Sequence, residues 1–123
     1  MDTNYKRVVI KAGTSVLTGD STSDILDHGR MADLVSQLCQ LTLDNKTEVL
    51  LVSSGAIAAG REILGQAPNS NQIRNIINRQ MLAAVGQGRL IHLYQELFGT
   101  KSVQVAQTLL TVNDISERHS YLN

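Results

Sequence analysis

Two kinds of hydrophobic pattern alternate along this chain, one short and continuous, the other spaced three and four residues apart. Residues 7–10 (RVVI) and 48–52 (EVLLV) are short apolar runs, and each is followed by a turn that contains glycine. Runs of this length and composition indicate buried strands. Residues 102–106 (SVQVA) predict a third strand on the same grounds.

The segments between these runs carry the helical spacing. It predicts an amphipathic helix over about 25–44, an alanine-rich helix over 56–64, and a long helix over 73–98 that ends at Gly99. Strands that are separated by helices imply parallel pairing with right-handed crossovers. The pattern therefore predicts an α/β fold, with a mainly parallel sheet that carries helices on its faces.

The long helical pattern contains Gly86 and Gly88. A glycine in a helix interior costs about 1 kcal/mol relative to alanine, so we expect a compensating interaction. We interpret it as close packing of this helix against the sheet.

Composition and charge narrow the class of protein. The 123 residues are 42% hydrophobic, which suits one globular domain. The 11 basic and 11 acidic side chains cancel, so we expect no nucleic acid partner and no binding to an anionic membrane. We find no signal peptide pattern and no apolar run that is long enough to span a bilayer, and we therefore expect a cytoplasmic protein.

The sulfur and imidazole side chains do not form a recognisable site. Cys39, the one cysteine, falls inside an apolar helical pattern and is expected to be buried. His28, His92 and His119 show no metal-ligand spacing with one another or with Cys39. We interpret the histidines as surface or boundary residues and predict no metal site.

The turn after the first strand carries the first candidate chemistry, since ligands of open parallel sheets bind beyond the carboxyl ends of strands. Residues 10–15 (IKAGTS) place a lysine, a glycine and two hydroxyls in this turn. Backbone N–H groups and a lysine can share the charge of a phosphate. The turn matches neither the Walker A nor the Rossmann pattern. The alternative is a tight turn with a solvated lysine and hydroxyls that cap the backbone.

The turn after the second strand, residues 52–56 (VSSGA), is the second candidate. It places hydroxyls and free N–H groups at the N-terminus of the predicted helix, where carboxylate or phosphate is favoured. Serine capping alone is the alternative interpretation. It does not explain two serines together with Gly55 and the small residues 56–60, which would let a helix and a ligand approach the sheet.

Several sequence blocks together resemble the glutamate 5-kinase family. They stand in the order and spacing of that family: 11–18 (KAGTSVLT), 52–61 (VSSGAIAAGR), 82–90 (LAAVGQGRL), 109–111 (LLT) and 121–123 (YLN). The first block alone would indicate only the amino acid kinase superfamily, whereas the second and third together are specific to the glutamate enzyme. The chain departs slightly at Arg79, where relatives often carry lysine.

The resemblance implies a nucleotide site in the first turn. Lys11 would be the catalytic residue, because it would bind the transferring phosphoryl group of ATP and stabilise its charge. Gly13, Thr14 and Ser15 would shape the phosphate-binding turn around it. ATP would be the co-substrate with Mg²⁺, although no residue of this chain is assigned as a ligand of the metal.

The resemblance places the substrate L-glutamate at the second turn. Ser54 would contact it, together with the backbone at Gly55 and Ala56. The γ-carboxylate of glutamate would attack the γ-phosphorus in line, which is the first step of proline biosynthesis. A carboxylate needs no general base, so positioning and charge stabilisation would govern the transfer.

The resemblance also implies the amino acid kinase fold, which is a three-layer α/β/α sandwich. Residues 1–123 would be the N-terminal half of that domain, without the lobe that binds adenine. On this basis we expect weak or absent catalysis from the 123 residues alone. An exposed sheet edge and exposed apolar helix faces would favour self-association, so we expect homo-oligomers.

Two alternative functions stay open from the sequence. One is another kinase of the superfamily, acting on acetylglutamate, aspartate or carbamate, against which the second block argues. The other is a non-catalytic remnant of the kinase that binds an anion or a partner.

Overall fold

The computed structural model describes residues 5–19, 24–64 and 76–117, with the side chains of 76 and 77 excepted. The elements follow in chain order: β1 (Arg7–Ala12), α1 (Thr14–Thr18), α2 (His28–Leu43), β2 (Glu48–Ser53), α3 (Ala56–Leu64), α4 (Ile76–Gly99) and α5 (Val112–Ser116). None of the helices in these ranges is long and apolar enough to cross a membrane.

The two strands form a parallel pair. Their register runs from Arg7 opposite Glu48 to Ala12 opposite Ser53. Because α2 connects the strands, the β1–α2–β2 segment is the β–α–β unit that the hydrophobic pattern predicts. The α/β class and the parallel pairing are therefore confirmed.

Alternation along the strands separates a covered face of the sheet from an exposed one. Ile10, Val49 and Leu51 are half-buried and pack against the core. Val9 and Leu50 point to the opposite face and are 64% and 57% exposed. Among the described residues, α2, α3 and α4 thus lie on one face of the sheet.

Helices α2, α3 and α4 share a single hydrophobic core with the covered face. Its fully buried members include Leu17, Met31, Val35, Ala59 and Leu90. The helix predicted over about 25–44 begins at His28, because the Asp27 carboxylate accepts a hydrogen bond from the Arg30 amide and caps the first turn. The predictions for α3 and for the part of α4 that the structure describes are also confirmed.

The strand predicted over 102–106 is not formed. Val103 and Val105 are half-buried against the core, so the alternation of burial that suggested a strand is present. A strand also needs a neighbour to pair its backbone groups, and among the described residues β1 and β2 pair only with each other. The prediction was wrong because side-chain burial can alternate without sheet pairing.

Helices α3 and α4 approach each other backbone to backbone. A methyl group on Gly86 would overlap the Ala56 carbonyl oxygen and the Gly60 amide nitrogen, and one on Gly60 would overlap the Leu82 carbonyl oxygen. The close packing expected of Gly86 is therefore present, but against α3 and not against the sheet. Gly88 has open space where a methyl group would stand, so no contact of the described residues explains it.

Candidate functional site

The carboxyl ends of the two strands bring the two candidate turns together. The Ser54 amide donates a hydrogen bond of 2.9 Å to the Ala12 carbonyl oxygen. Because β1 and β2 are parallel and in register, both chains leave the sheet at this edge. The turn before α1 and the turn before α3 are thus neighbours, as expected for a ligand site in a parallel sheet.

A cavity of about 510 Å³ opens at this edge of the sheet. Its volume falls in the usual range for sites that hold small molecules. The residues that line it come from the two turns, from α3 and from the start of α4: Thr14, Ser53, Ser54, Gly55, Ala56, Ile57, Ala58, Arg61, Arg79 and Ala83.

The cavity includes four of the seven residues that the resemblance assigns to the site. Thr14 from the first turn meets Ser54, Gly55 and Ala56 from the second. The other three, Lys11, Gly13 and Ser15, do not line this cavity.

Lys11 lies on the exposed face of the sheet, opposite Val52 in the strand register. Gly13 has a φ of −76°, which any residue adopts, and no heavy atom lies within 4 Å of the place where a methyl group would stand. Ser15 is exposed in α1. The first turn is therefore open to a ligand from outside the cavity.

The backbone conformation of Gly55 sets the direction in which α3 begins. Its φ of 109° is strained for any residue with a side chain, and a methyl group there would lie 3.0 Å from a Leu17 methyl carbon. The Ala59 amide donates the first helical hydrogen bond to the Gly55 carbonyl oxygen. The amides of residues 56–58 therefore have no acceptor within the helix. Since these residues line the cavity, the positive end of α3 faces it.

A buried tyrosine supports the second turn. The Ser53 hydroxyl lies 2.7 Å from the Tyr94 hydroxyl and donates a hydrogen bond of 2.8 Å to the Ser54 carbonyl oxygen. Burial raises the pKa of Tyr94, and the hydrogen bond with Ser53 lowers it by less. Because Ser53 gives its one hydroxyl proton to the Ser54 carbonyl oxygen, the neutral phenol of Tyr94 is the donor in its bond with Ser53. Sequence reasoning missed Tyr94, because it occupies an ordinary core position of a helix.

Ser54 has a different environment from Ser53. Among the described residues, no hydrogen bond is made by its hydroxyl. Because Ser54 also lines the cavity, this hydroxyl is available to a bound molecule. Serine capping of the helix, the alternative interpretation of this turn, therefore does not account for either serine.

Two arginines bring positive charge to the cavity, and sequence reasoning assigned no role to either. Arg61 is buried, and its guanidinium lies 3.6 Å from the Asp24 carboxylate and donates to the Asp24 carbonyl oxygen at 3.3 Å. Arg79 is exposed at the start of α4. The signal that could have found Arg61 is its helical spacing of three and four residues from Ala58 and Ile57, which line the same cavity.

The cysteine and histidines lie outside this site. Cys39 is buried as predicted, and burial raises the pKa of its thiol. His28 and His92 are exposed and lie 2.6 Å from the Glu62 carboxylate and 3.3 Å from the Glu96 carboxylate, whereas His119 is outside the described residues. In residues 5–19, 24–64 and 76–117, no three acidic, histidine or cysteine side chains converge on a point that could hold a metal.

Known proteins resemble the chain over almost its whole length. It is 51% identical over 116 residues to glutamate 5-kinase 2 of Pseudoalteromonas translucida, covering 94% of this chain and 30% of the relative. It is 50% identical over 123 residues to a glutamate 5-kinase of Dehalococcoides mccartyi, and the match covers 97% of this chain and 30% of the relative. It is 46% identical over 123 residues to the glutamate 5-kinase of Aliivibrio fischeri, and the match covers 100% of this chain and 32% of the relative.

The chain thus spans about 30% of the length of the curated relatives that it matches. Residues 6–123 match the amino acid kinase family. Because this match takes in β1, β2 and both turns at their carboxyl ends, the chain belongs to the amino acid kinase family.

Proposed function

We propose that this chain is the N-terminal part of the kinase domain of a glutamate 5-kinase, which transfers the γ-phosphoryl group of ATP to the side-chain carboxylate of L-glutamate. The observation that carries the proposal is identity near 50% over almost all of the chain to relatives with that name. The remainder of the domain, with the adenine site, is supplied by polypeptide outside these 123 residues. ATP and glutamate are cytoplasmic metabolites, so the proposal includes a cytoplasmic enzyme.

Ser54 and the start of α3 bind glutamate in this proposal. The free Ser54 hydroxyl and the unpaired amides that begin at Ala56 are donors, and a carboxylate accepts hydrogen bonds from both. The left-handed conformation of Gly55 holds these donors at the mouth of the cavity.

The first turn binds the phosphates. Thr14 lines the same cavity as Ser54, so a phosphate held by Gly13, Thr14 and Ser15 would lie next to the glutamate site. Lys11 contributes its charge from the end of β1. Mg²⁺ enters with the nucleotide as a counterion of its phosphates, and we assign it no ligand among the described residues.

The chemistry needs positioning more than it needs an activated side chain. A γ-carboxylate oxygen of glutamate forms a bond to the γ-phosphorus, and the bond from that phosphorus to the bridging oxygen of ADP breaks. Charge accumulates on the phosphoryl oxygens during transfer, and the Lys11 ammonium group stabilises it. The products are ADP and an acyl phosphate.

The test is glutamate-dependent ADP formation by the full-length product of the reading frame that contains this chain. Hydroxylamine traps the acyl phosphate as a hydroxamate and so identifies the acceptor group. Lys11→Ala should lower kcat roughly 100-fold or more, because it removes a charge that acts in the transition state. Lys6→Ala removes the same charge from the opposite end of β1 and should leave kcat unchanged.

Two other results would reject the proposal. Turnover with acetylglutamate, aspartate or carbamate, but not with glutamate, would assign the chain to another kinase of the superfamily. A folded protein that turns over none of these acceptors would be the non-catalytic remnant.

A further inference from the structure

A connecting segment, residues 24–28, lies between the end of α1 and the first turn of α2 and contacts both candidate turns. The Asp27 amide donates a hydrogen bond of 2.7 Å to the Leu17 carbonyl oxygen of α1. Leu26 is buried, and a methyl group on Gly55 would lie 3.3 Å from one of its methyl carbons and 3.0 Å from a Leu17 methyl carbon. The connecting segment therefore packs between α1, which follows the first turn, and the glycine of the second turn.

Two consecutive residues of α3 hold the connecting segment at its two ends. At one end, the Arg61 guanidinium lies 3.6 Å from the Asp24 carboxylate and donates to the Asp24 carbonyl oxygen at 3.3 Å. At the other end, the Glu62 carboxylate lies 2.6 Å from Nε2 of His28. Both ends of the segment are thus fixed to the helix that begins at the second turn.

The contact of Arg61 differs from an ordinary surface ion pair. The Arg61 side chain is only 10% exposed, whereas the side chains of the Arg7–Glu48 pair are 73% and 66% exposed. A surface pair contributes little, but a buried guanidinium that loses its partner is costly. Asp24 also has a φ of 50°, which is uncommon for a residue with a side chain. Because Arg61 contacts both its carbonyl and its carboxylate, it restrains the backbone as well as the side chain.

We propose that Arg61 is a positioning residue that aligns the two turns, and that it acts through Asp24. By holding the connecting segment against α3, it fixes α1, which carries Thr14 and Ser15, relative to Ser54. In-line transfer needs the attacking oxygen and the phosphorus in register, so this alignment acts on kcat. The inference rests on the proposed function for the identity of the two ligands, the phosphates at the first turn and glutamate at the second.

The first test compares kcat with KM in the full-length protein. Arg61→Gln should lower kcat roughly 10- to 100-fold, because a misplacement of about 1 Å at the reacting atoms has an effect of this size. The KM for ATP and the KM for glutamate should change less than about threefold, since each turn keeps its own ligand contacts.

Asp24→Asn tests the same contact from its exposed side. It removes the carboxylate charge and keeps a residue that tolerates the left-handed conformation. It should lower kcat less than Arg61→Gln does, because the carbonyl oxygen of residue 24 still accepts from Arg61. The double variant should lower kcat no further than Arg61→Gln alone, because both changes act on one contact.

Two further variants control the comparison. Arg61→Lys keeps a charge that can pair with Asp24, so it should recover part of kcat. Arg7→Gln breaks the exposed pair with Glu48 and should leave kcat unchanged. Circular dichroism and urea unfolding show that each variant folds. If Arg61→Gln lowered the free energy of unfolding but left kcat of the folded enzyme unchanged, its role would be structural and the proposal would be wrong.

Amide hydrogen exchange tests the alignment without the use of activity. The amides of Leu17, Gly19 and Asp27 are hydrogen-bonded within α1 and between α1 and the connecting segment. In Arg61→Gln they should exchange roughly tenfold faster or more, because the segment is released locally, whereas the amides of β2 should be unaffected. Arg7→Gln should leave all of these rates unchanged.

The two readouts separate this inference from the proposed function. An inactive wild-type protein whose Arg61→Gln variant exchanges faster at these three amides would reject the kinase activity and keep the alignment by Arg61. Unchanged exchange at these amides in Arg61→Gln would overturn the inference. A rise in the KM for glutamate alone, with kcat unchanged, would also overturn it, because Arg61 would then act on one ligand and not on the alignment of two.

Discussion

The Tyr94 hydroxyl helps to hold the second turn in place. It donates to Ser53, Ser53 donates to the Ser54 carbonyl oxygen, and the Ser54 amide donates to the Ala12 carbonyl oxygen. This series of hydrogen bonds ties a helix, a turn and a strand together next to the cavity. Tyr94 is therefore a positioning residue, because it acts on the site through Ser53.

Tyr94→Phe should raise the KM for glutamate severalfold and leave the KM for ATP unchanged, because only the turn that we propose to bind glutamate loses its support. The free energy of unfolding should fall by about 1 kcal/mol, the usual contribution of one such hydrogen bond. Kinetics and urea unfolding measure the two effects. Tyr5→Phe is the matched control, since Tyr5 is 64% exposed. Equal effects of the two variants on KM would contradict the positioning role.

The contact between α3 and α4 decides where the start of α3 stands. The two helices meet through Gly60 and Gly86, where neither has a side chain to keep the backbones apart. Because α3 and α4 both contribute residues that line the cavity, the width of the cavity depends on this contact.

Gly86→Ala should destabilise the fold by about 1–3 kcal/mol, because its methyl group would force α3 and α4 apart. Gly88→Ala, two residues away in the same helix, should stabilise by up to about 1 kcal/mol, because its methyl group meets open space and alanine favours the helix. Urea unfolding followed by circular dichroism compares them. If both variants were equally stable, the helices would not be packed as closely as described.

The whole molecule has one apolar sheet face that its described helices do not cover. Val9 and Leu50 are register partners on this face, and Val52 beside them is 50% exposed. Contiguous apolar surface of this kind favours association. We infer that the purified 123-residue chain forms homo-oligomers or larger assemblies through it.

Leu50→Thr should reduce self-association of the purified chain, as measured by size-exclusion chromatography with light scattering at tens of micromolar. Leu43→Thr is the matched control, because Leu43 is 55% exposed but belongs to α2 and not to the open face of the sheet. It should leave association unchanged. A sharp monomer peak from the unsubstituted chain would contradict the inference.

The sequence by itself determined the local elements and the identity of the two turns. The spacing of apolar residues and the residue types in the turns are properties of neighbouring residues. They are therefore enough to locate β1, β2, α2 and α3 along the chain. The small polar residues at 13–15 and 53–55 marked the carboxyl ends of the strands for the same reason. These features do not depend on how distant segments meet.

Only the tertiary structure decided which distant side chains come together in and behind the cavity. Ser53 and Tyr94 are 41 residues apart, and Arg61 and Arg79 belong to different helices. Their meeting depends on the glycine contact between α3 and α4, which no local pattern encodes. Residues 102–106 show the converse, since their pattern suits a strand but no described strand lies beside them. The pairing of strands and the convergence of distant side chains are set by how distant segments pack. Only the folded structure therefore shows them.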